Sequence, residues 1–309
     1  MSNIAVQHKI NLRVVFLGML GVLSLLPLEA LLRAEADMRA VVVSAGQPGA
    51  ASMRPLHPPR PAASLIPLAT SYMNRTVLQA AWERTIPAFG VNRFDAIALE
   101  QFATWQPDVI CVACFPKRLP ASLLAVPRHG VLNVHPSLLP NHRGPVPLFW
   151  TFRAGEQATG VTVHFMSEEL DAGEIAAQAP LDLPDGISGP EADRLCGAVG
   201  GQLLVETLRQ IERGTLERRP QPPGGSYEPY PHDDDFVIPT NWSARRAFNF
   251  MRGTEEWHEP YTVMAGDGRL VVMVALAYDD HAQLEAPLLY DGDRVRVQFT
   301  PGVLHARLA

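Results

Sequence analysis

The sequence predicts an α/β fold, a Rossmann-like, mostly parallel sheet with helices on both faces, followed by a small β-rich C-terminal domain for which an OB-like barrel is one arrangement. Three observations predict this. Short β-branched runs alternate with helical patterns through the first two thirds of the chain. A break rich in Pro and Gly falls at 218–231, where a linker is expected. Beyond it, short strand patterns are separated by turn pairs such as Gly266-Asp267-Gly268 and Asp291-Gly292-Asp293. With 309 residues, 47% hydrophobic and 19% charged, the composition fits a soluble globular protein of about two domains. The expected division is a larger domain over 1–217, the linker over 218–231 and the β-rich domain over 232–309.

Taken in order, strands are expected at 14–17, 39–43, 88–91, 109–114 and 130–134, with helices at 24–34, 75–85, 95–105 and 120–125. The stretch 45–67 is dense in Pro, Gly, Ala and Ser and reads as a long surface loop. A helix at 145–155 precedes strands at 159–166 and 175–181, which makes 167–173 a loop between two strands. The pattern of Leu195, Val199, Leu203, Leu204 and Leu208 makes 191–214 a long helix that packs on the sheet. In the C-terminal domain a short helix near 243–252 leads to strands at 261–265, 270–277, 287–289, 295–299 and 302–306.

The apolar run 14–26 behind Lys9 and Arg13 has two readings, a secretory signal or a buried first strand feeding a helix. The second also accounts for 38–44 as the next strand and is preferred. No run is long and clean enough for a membrane span. The net charge of −6 gives no general attraction to nucleic acid. Lysine is confined to Lys9 and Lys117 while arginine is abundant, which reflects base composition rather than function. Three cysteines, Cys111, Cys114 and Cys196, are too few for a disulfide framework. Cys111-Val-Ala-Cys114 has redox spacing, but its apolar setting reads as a buried strand, so a reducing, cytoplasmic setting is expected.

The chemistry concentrates in Asn133-Val-His135-Pro-Ser137-Leu-Leu-Pro140 and Asp171-Ala-Gly173. Asn133 and His135 fall at the carboxyl end of the fifth expected strand, where open α/β sheets place their ligands. An amide can donate to a developing oxyanion, an imidazole can move a proton near neutral pH, and a carboxylate can orient it. Together they are equipment for acyl transfer. Singly, each has a plain reading: Asn133 as a turn cap, His135 as a surface residue before proline. His164, alternating with Val161 and Val163, is either a core histidine or a partner behind the catalytic groups. Ser137 lacks the flanking glycines of a hydrolase elbow.

With Arg143-Gly144-Pro145, Thr159-Gly160-Val161-Thr162-Val163-His164-Phe165 and Leu170-Asp171-Ala172-Gly173 in view, the chain resembles the folate-dependent formyltransferase superfamily. The likeness is dense over 107–179, moderate over 13–43, and extends to Tyr227 and Asn241-Trp242-Ser243 in the C-terminal part. The resemblance implies transfer of a formyl group from 10-formyltetrahydrofolate to a primary amine, with Asn133, His135 and Asp171 as the catalytic trio. It places the folate between Phe115, Lys117 and Leu119 on one side and Ser167, Glu168, Glu169 and Leu170 on the other. It requires no metal, and the sequence offers no ligand cluster for one.

The superfamily's acceptors differ. Members that formylate glycinamide ribonucleotide bind phosphate on a Gly-x-Gly-Ser-Asn loop, where this chain has Gly18-Met-Leu-Gly21-Val-Leu. Members acting on methionyl-tRNA carry a Lys- and Arg-rich loop after the second strand; here 45–67 has no lysine and only Arg54 and Arg60. A small amine, on a nucleotide-linked amino sugar or a secondary metabolite, is therefore preferred over tRNA. A non-catalytic folate-binding protein stays open. A nicotinamide-binding oxidoreductase is disfavoured, because Gly-x-Gly-x-x-Gly and an acidic end to the second strand are both absent. For the C-terminal domain, Trp242, Trp257 and Tyr261 suit its own core better than an auxiliary pocket or a homodimer contact.

Overall fold

Val14, Val15, Phe16 and Leu17 are wholly buried in β1 (Arg13–Gly18), an inner strand of the larger sheet. The structure is a computed structural model of the chain and describes residues 9–46, 51–59, 75–265 and 268–309. The apolar run 14–26 is therefore core on both sides of an exposed turn at 19–21: β1 feeds α1 (Val22–Arg33), whose Leu28 and Leu31 are also fully buried. β2 (Asp37–Ser44), β4 (Ala88–Val91), β5 (Val109–Ala113) and β6 (Val131–His135) join β1 in parallel pairings. β3 (Met53–Leu56) pairs antiparallel with β4, and β7 (Ala158–Phe165) antiparallel with β6. With β8 (Ile175–Asp182) the order is β3-β4-β2-β1-β5-β6-β7-β8.

One face of this sheet supplies Val15, Leu17, Ile110, Val112 and Val131 to a core cluster completed by Ala98 and Phe102 of α3 (Ala96–Thr104) and Leu123 of α4 (Ala121–Leu124). Each such Leu, Val or Phe side chain contributes about 1.5–3 kcal/mol on burial. α3 begins at Asp95, whose carboxylate accepts from the Ala98 amide at 3.2 Å. On the opposite face α6 (Gly189–Arg213) lies close to β6, since a Cβ on Gly200 would overlap Val134. Cys196, Leu204 and Leu208, in step with Gly200, are all fully buried. α2 (Val77–Glu83) starts with a capping box between Thr76 and Gln79. Cys111 is buried in β5 and its thiol is pushed up by burial, as a strand cysteine's would be.

The expected loop at 45–67 needs correction, because 53–56 form β3. Met-Arg-Pro-Leu reads as broken by Pro55, yet proline is compatible with the outer strand of a sheet, where β3 sits. Parts of that expectation, 47–50 and 60–67, lie outside the described residues, as do Gly266 and Asp267 of the expected turn.

The chain divides into two compact units. The first comprises Met1–Pro140, Val161–Ala179 and Arg194–Gly225; the second comprises Asn141–Gly160, Pro180–Asp193 and Ser226–Ala309. In the second, the β-rich segment is a six-stranded sheet ordered β12 (Leu288–Asp291), β13 (Arg294–Gln298), β14 (Val303–Leu308), β11 (Gly268–Asp279), β10 (Tyr261–Ala265), β9 (Val237–Pro239). The three-residue β9 was not expected; it pairs in parallel with β10. α7 (Ala244–Thr254), capped by Ser243, packs on β11 and β14 and against α5 (Pro147–Ala154). Phe149, Phe236, Phe250, Trp257 and Tyr261 form a connected aromatic core there, with ring centroids 5.3–6.2 Å apart. The Tyr261 hydroxyl sits 2.8 Å from Thr254 Oγ1, and burial pushes its pKa up to about 12.

Asp193 at the start of α6 is a costly residue in the second unit. Burial, with the nearby Glu256 charge, raises its pKa to about 7. Below the ordinary carboxylate range the group is protonated folded and unfolded, so it costs nothing. As pH climbs toward 7 the unfolded chain ionises first and stability falls. Asp193→Asn is therefore expected to stabilise the protein by about 2 kcal/mol at pH 8 and to change little at pH 4. Thermal melts at the two pH values check this; an equal shift at both would remove the electrostatic cause.

Candidate active site

β6 and β7 pair so that Asn133 lies opposite His164 and His135 opposite Thr162. Strand residues two apart share a face, so these four polar side chains project together while Leu132, Val134, Val161 and Val163 take the other side. Asn133 and His135 thus continue, at the carboxyl end of β6, the face that Val131 gives to the core cluster. The fold turns from apolar to reactive along one strand.

The third group arrives on the loop between β7 and β8. Asp171 is 7% exposed and holds φ at +51°, the left-handed region that Asp tolerates better than most side chains. Gly173 follows in tight quarters, because a Cβ there would overlap the Phe165 carbonyl oxygen. The two carboxylate oxygens of Asp171 divide between two imidazoles: Oδ2 is 3.8 Å from His135 Nδ1, and Oδ1 is 3.5 Å from His164 Nε2. The rings stand nearly perpendicular with centroids 6.2 Å apart. His135 and His164 are 3% and 1% exposed.

His164 also fixes Asn133. Its Nδ1 faces the Phe165 carbonyl at 3.0 Å, a group that can only accept, so Nδ1 carries the hydrogen. Nε2 lies 3.2 Å from Asn133 Nδ2, at hydrogen-bond distance. An amide nitrogen has two hydrogens, and the second can serve a reacting group. His164, for which two readings were open, is fully buried and touches both Asn133 and Asp171. The signal was the matching alternation of Asn-Val-His and Thr-Val-His on strands that prove to be paired.

Thr162 pins the turn after His135. Its hydroxyl donates to the Ser137 carbonyl at 2.7 Å and accepts from the Leu139 amide at 3.1 Å and from Gln178 Nε2 at 3.0 Å. Gln178 Nε2 also donates to the Leu139 carbonyl at 2.8 Å. Ser137 is fully buried, which suits this supporting place better than a nucleophile's.

The loops expected to flank a folate come together through Arg118, which donates to the Glu168 carbonyl. Phe115 is half-buried, its ring 6.2 Å from Phe94, and Lys117 is half-buried beside it. Leu119, 3% exposed, turns into the core cluster and supports the loop from within. Ser167, Glu168, Glu169 and Leu170 are exposed, and the Ser167 hydroxyl donates to the Glu169 carbonyl at 2.9 Å. At the end of β1, Met19 and Leu20 are 43% and 52% exposed. Buried Ser24 clamps this loop by accepting from the Met19 amide at 2.9 Å and donating to the Ala113 carbonyl at 2.7 Å.

Comparison with known proteins gives the family and the fold. A family model described as formyl transferase matches residues 14–188. A methionyl-tRNA formyltransferase of Pelotomaculum thermopropionicum is 30% identical over 89% of this chain and 82% of its own length. One from Clostridioides difficile is 36% identical over 60% of this chain, a match spanning 61% of that relative. Among solved structures, an N-formyltransferase from Helicobacter canadensis, in complex with folinic acid and dTDP-3-aminofucose, aligns at TM-score 0.65 with 13% identity, covering 95% of this chain and 98% of that one. HypX from Aquifex aeolicus in complex with tetrahydrofolic acid aligns at TM-score 0.60 with 17% identity, covering 96% of this chain and 43% of that one. At these identities the two structures speak for the fold.

Proposed function

The chain belongs to the formyl transferase family, and from that premise we propose that it moves the formyl group of 10-formyltetrahydrofolate to the primary amine of a small molecule. The observation that carries the reading is the convergence of Asn133, His135, His164 and Asp171 on one face at the carboxyl end of the sheet. The folate derivative supplies the formyl carbon. Asn133, through its second N–H, donates to the formyl oxygen as charge develops there. His135 takes the proton that the attacking amine must lose and passes it toward the departing folate nitrogen, with Asp171 stabilising the imidazolium. The new C–N bond to the acceptor forms as the bond to the folate nitrogen breaks, and the proton moves between the two nitrogens. Phe115 and Leu170 offer apolar surface beside the exposed residues 167–169, a combination suited to a planar ring rich in hydrogen-bonding groups.

Charge supports the small acceptor. Residues 226–309 hold thirteen Asp and Glu against seven Arg and no Lys, and 45–67 holds two Arg alone. Nucleic-acid affinity rests mainly on neutralising phosphates, which such a distribution opposes. Met19 and Leu20 likewise present apolar side chains where a phosphate-binding loop would present backbone donors. The names of the relatives favour a second reading, methionyl-tRNA as acceptor, carried by the 30% identity over most of both chains.

An assay of 10-formyltetrahydrofolate consumption against charged methionyl-tRNA, nucleotide-linked amino sugars and other primary amines decides between them. Turnover of small amines with little or none of the tRNA is the expected result. Turnover of the tRNA alone would reverse the choice of acceptor, and binding of the folate without transfer to anything would mark a non-catalytic binder.

A further inference from the structure

The segment leaving α6 is bonded to the loop that carries Asp171. Arg219 and Ile175 exchange backbone hydrogen bonds of 2.7 and 2.9 Å. Two residues on, Gln221 Nε2 donates to the Asp171 carbonyl at 2.7 Å and to the Gly173 carbonyl at 2.8 Å. One NH2 group thus ties down both carbonyls flanking Ala172. Arg218 adds a third hold, its guanidinium 3.7 Å from the ring centre of Phe165, the residue after His164, and donating to the His129 carbonyl at 3.3 Å.

We infer that Gln221 is a positioning residue for formyl transfer: its amide fixes the backbone at Asp171 and so aims the carboxylate between His135 and His164. The inference rests on the roles proposed above for those side chains. Asp171 holds a positive φ that other contacts must impose. Its carboxylate stands 3.8 and 3.5 Å from the two imidazoles, so a small rotation of the loop favours one ring at the expense of the other. The Arg219–Ile175 pairing keeps the segment in place without Gln221, because it is made by backbone atoms alone. Loss of the Gln221 amide would therefore loosen the aim of Asp171 while the fold persists.

The test compares Gln221→Met, which keeps length and bulk but has no donor, with Gln221→Lys, which restores one. For Gln221→Met, kcat is expected to fall roughly 10- to 100-fold, with KM for 10-formyltetrahydrofolate within about twofold of the parent. Its melting temperature is expected to stay at the parent value, while the pH profile of kcat changes shape. Gln221→Lys is expected to recover most of the lost kcat, which a purely packing role would not produce. A Met variant with the parent's kcat and pH profile overturns the inference, as does a loss of rate matched by an equal loss of folded protein. Asn133→Ala separates the two levels: if it keeps full activity, the site assignment itself fails, whereas a dead Asn133→Ala beside a fully active Gln221→Met removes only the positioning role.

Discussion

Asn133→Ala is expected to lower kcat for formyl transfer roughly 100- to 1,000-fold, the cost of removing one oxyanion donor from a preorganised site. The side chain sits at the carboxyl end of β6, and its amide is already oriented by His164 at 3.2 Å. Orientation before the reaction is what makes such a donor effective, because no rearrangement is needed as charge builds on the formyl oxygen. The fold should tolerate the change: the truncated residue is half-buried, and the lost hydrogen bond is worth only about 1 kcal/mol. Steady-state kinetics with saturating donor provide the check, and a variant within about threefold of the parent kcat would strip Asn133 of the role.

Asp171→Asn should cost a comparable or larger factor, roughly 100- to 10,000-fold, in the range of general acid–base contributions. Asparagine matches the shape and accepts the left-handed backbone at this position, so the loop held by Gln221 should keep its path. What disappears is the negative charge shared between two nearly buried imidazoles. Without it, the imidazolium formed as the amine loses its proton has lost the carboxylate that faces it. Melting temperature and donor KM are expected to stay near the parent values while kcat falls. An Asp171→Asn enzyme with near-parent kcat would show that orientation, not charge, is all the carboxylate provides.

Much of this arrangement could be read from the residues. The β-branched runs mark the parallel strands because strands buried on both faces need continuous apolar sequence. The Asn-Val-His alternation at the end of such a run marks β6 as the bearer of polar groups on one face. The alternation was visible on each strand, but the register that sets Asn133 opposite His164 could not be read, since antiparallel register depends on how two distant segments meet. β3 was hidden by Pro55, which sequence rules treat as a breaker. Gln221 was hidden for another reason: side chain to backbone bonds carry no periodicity, and a segment rich in Pro and Gly reads as a tether. The family resemblance located Asp171; spacing alone could not have brought it to His135.

Ser24 anchors the loop after β1 to the end of β5, using none of the groups that would handle the formyl carbon. Because that clamp grips the Met19 backbone amide and not its side chain, substitutions of the exposed Met19 and Leu20 side chains leave the anchor of the loop in place.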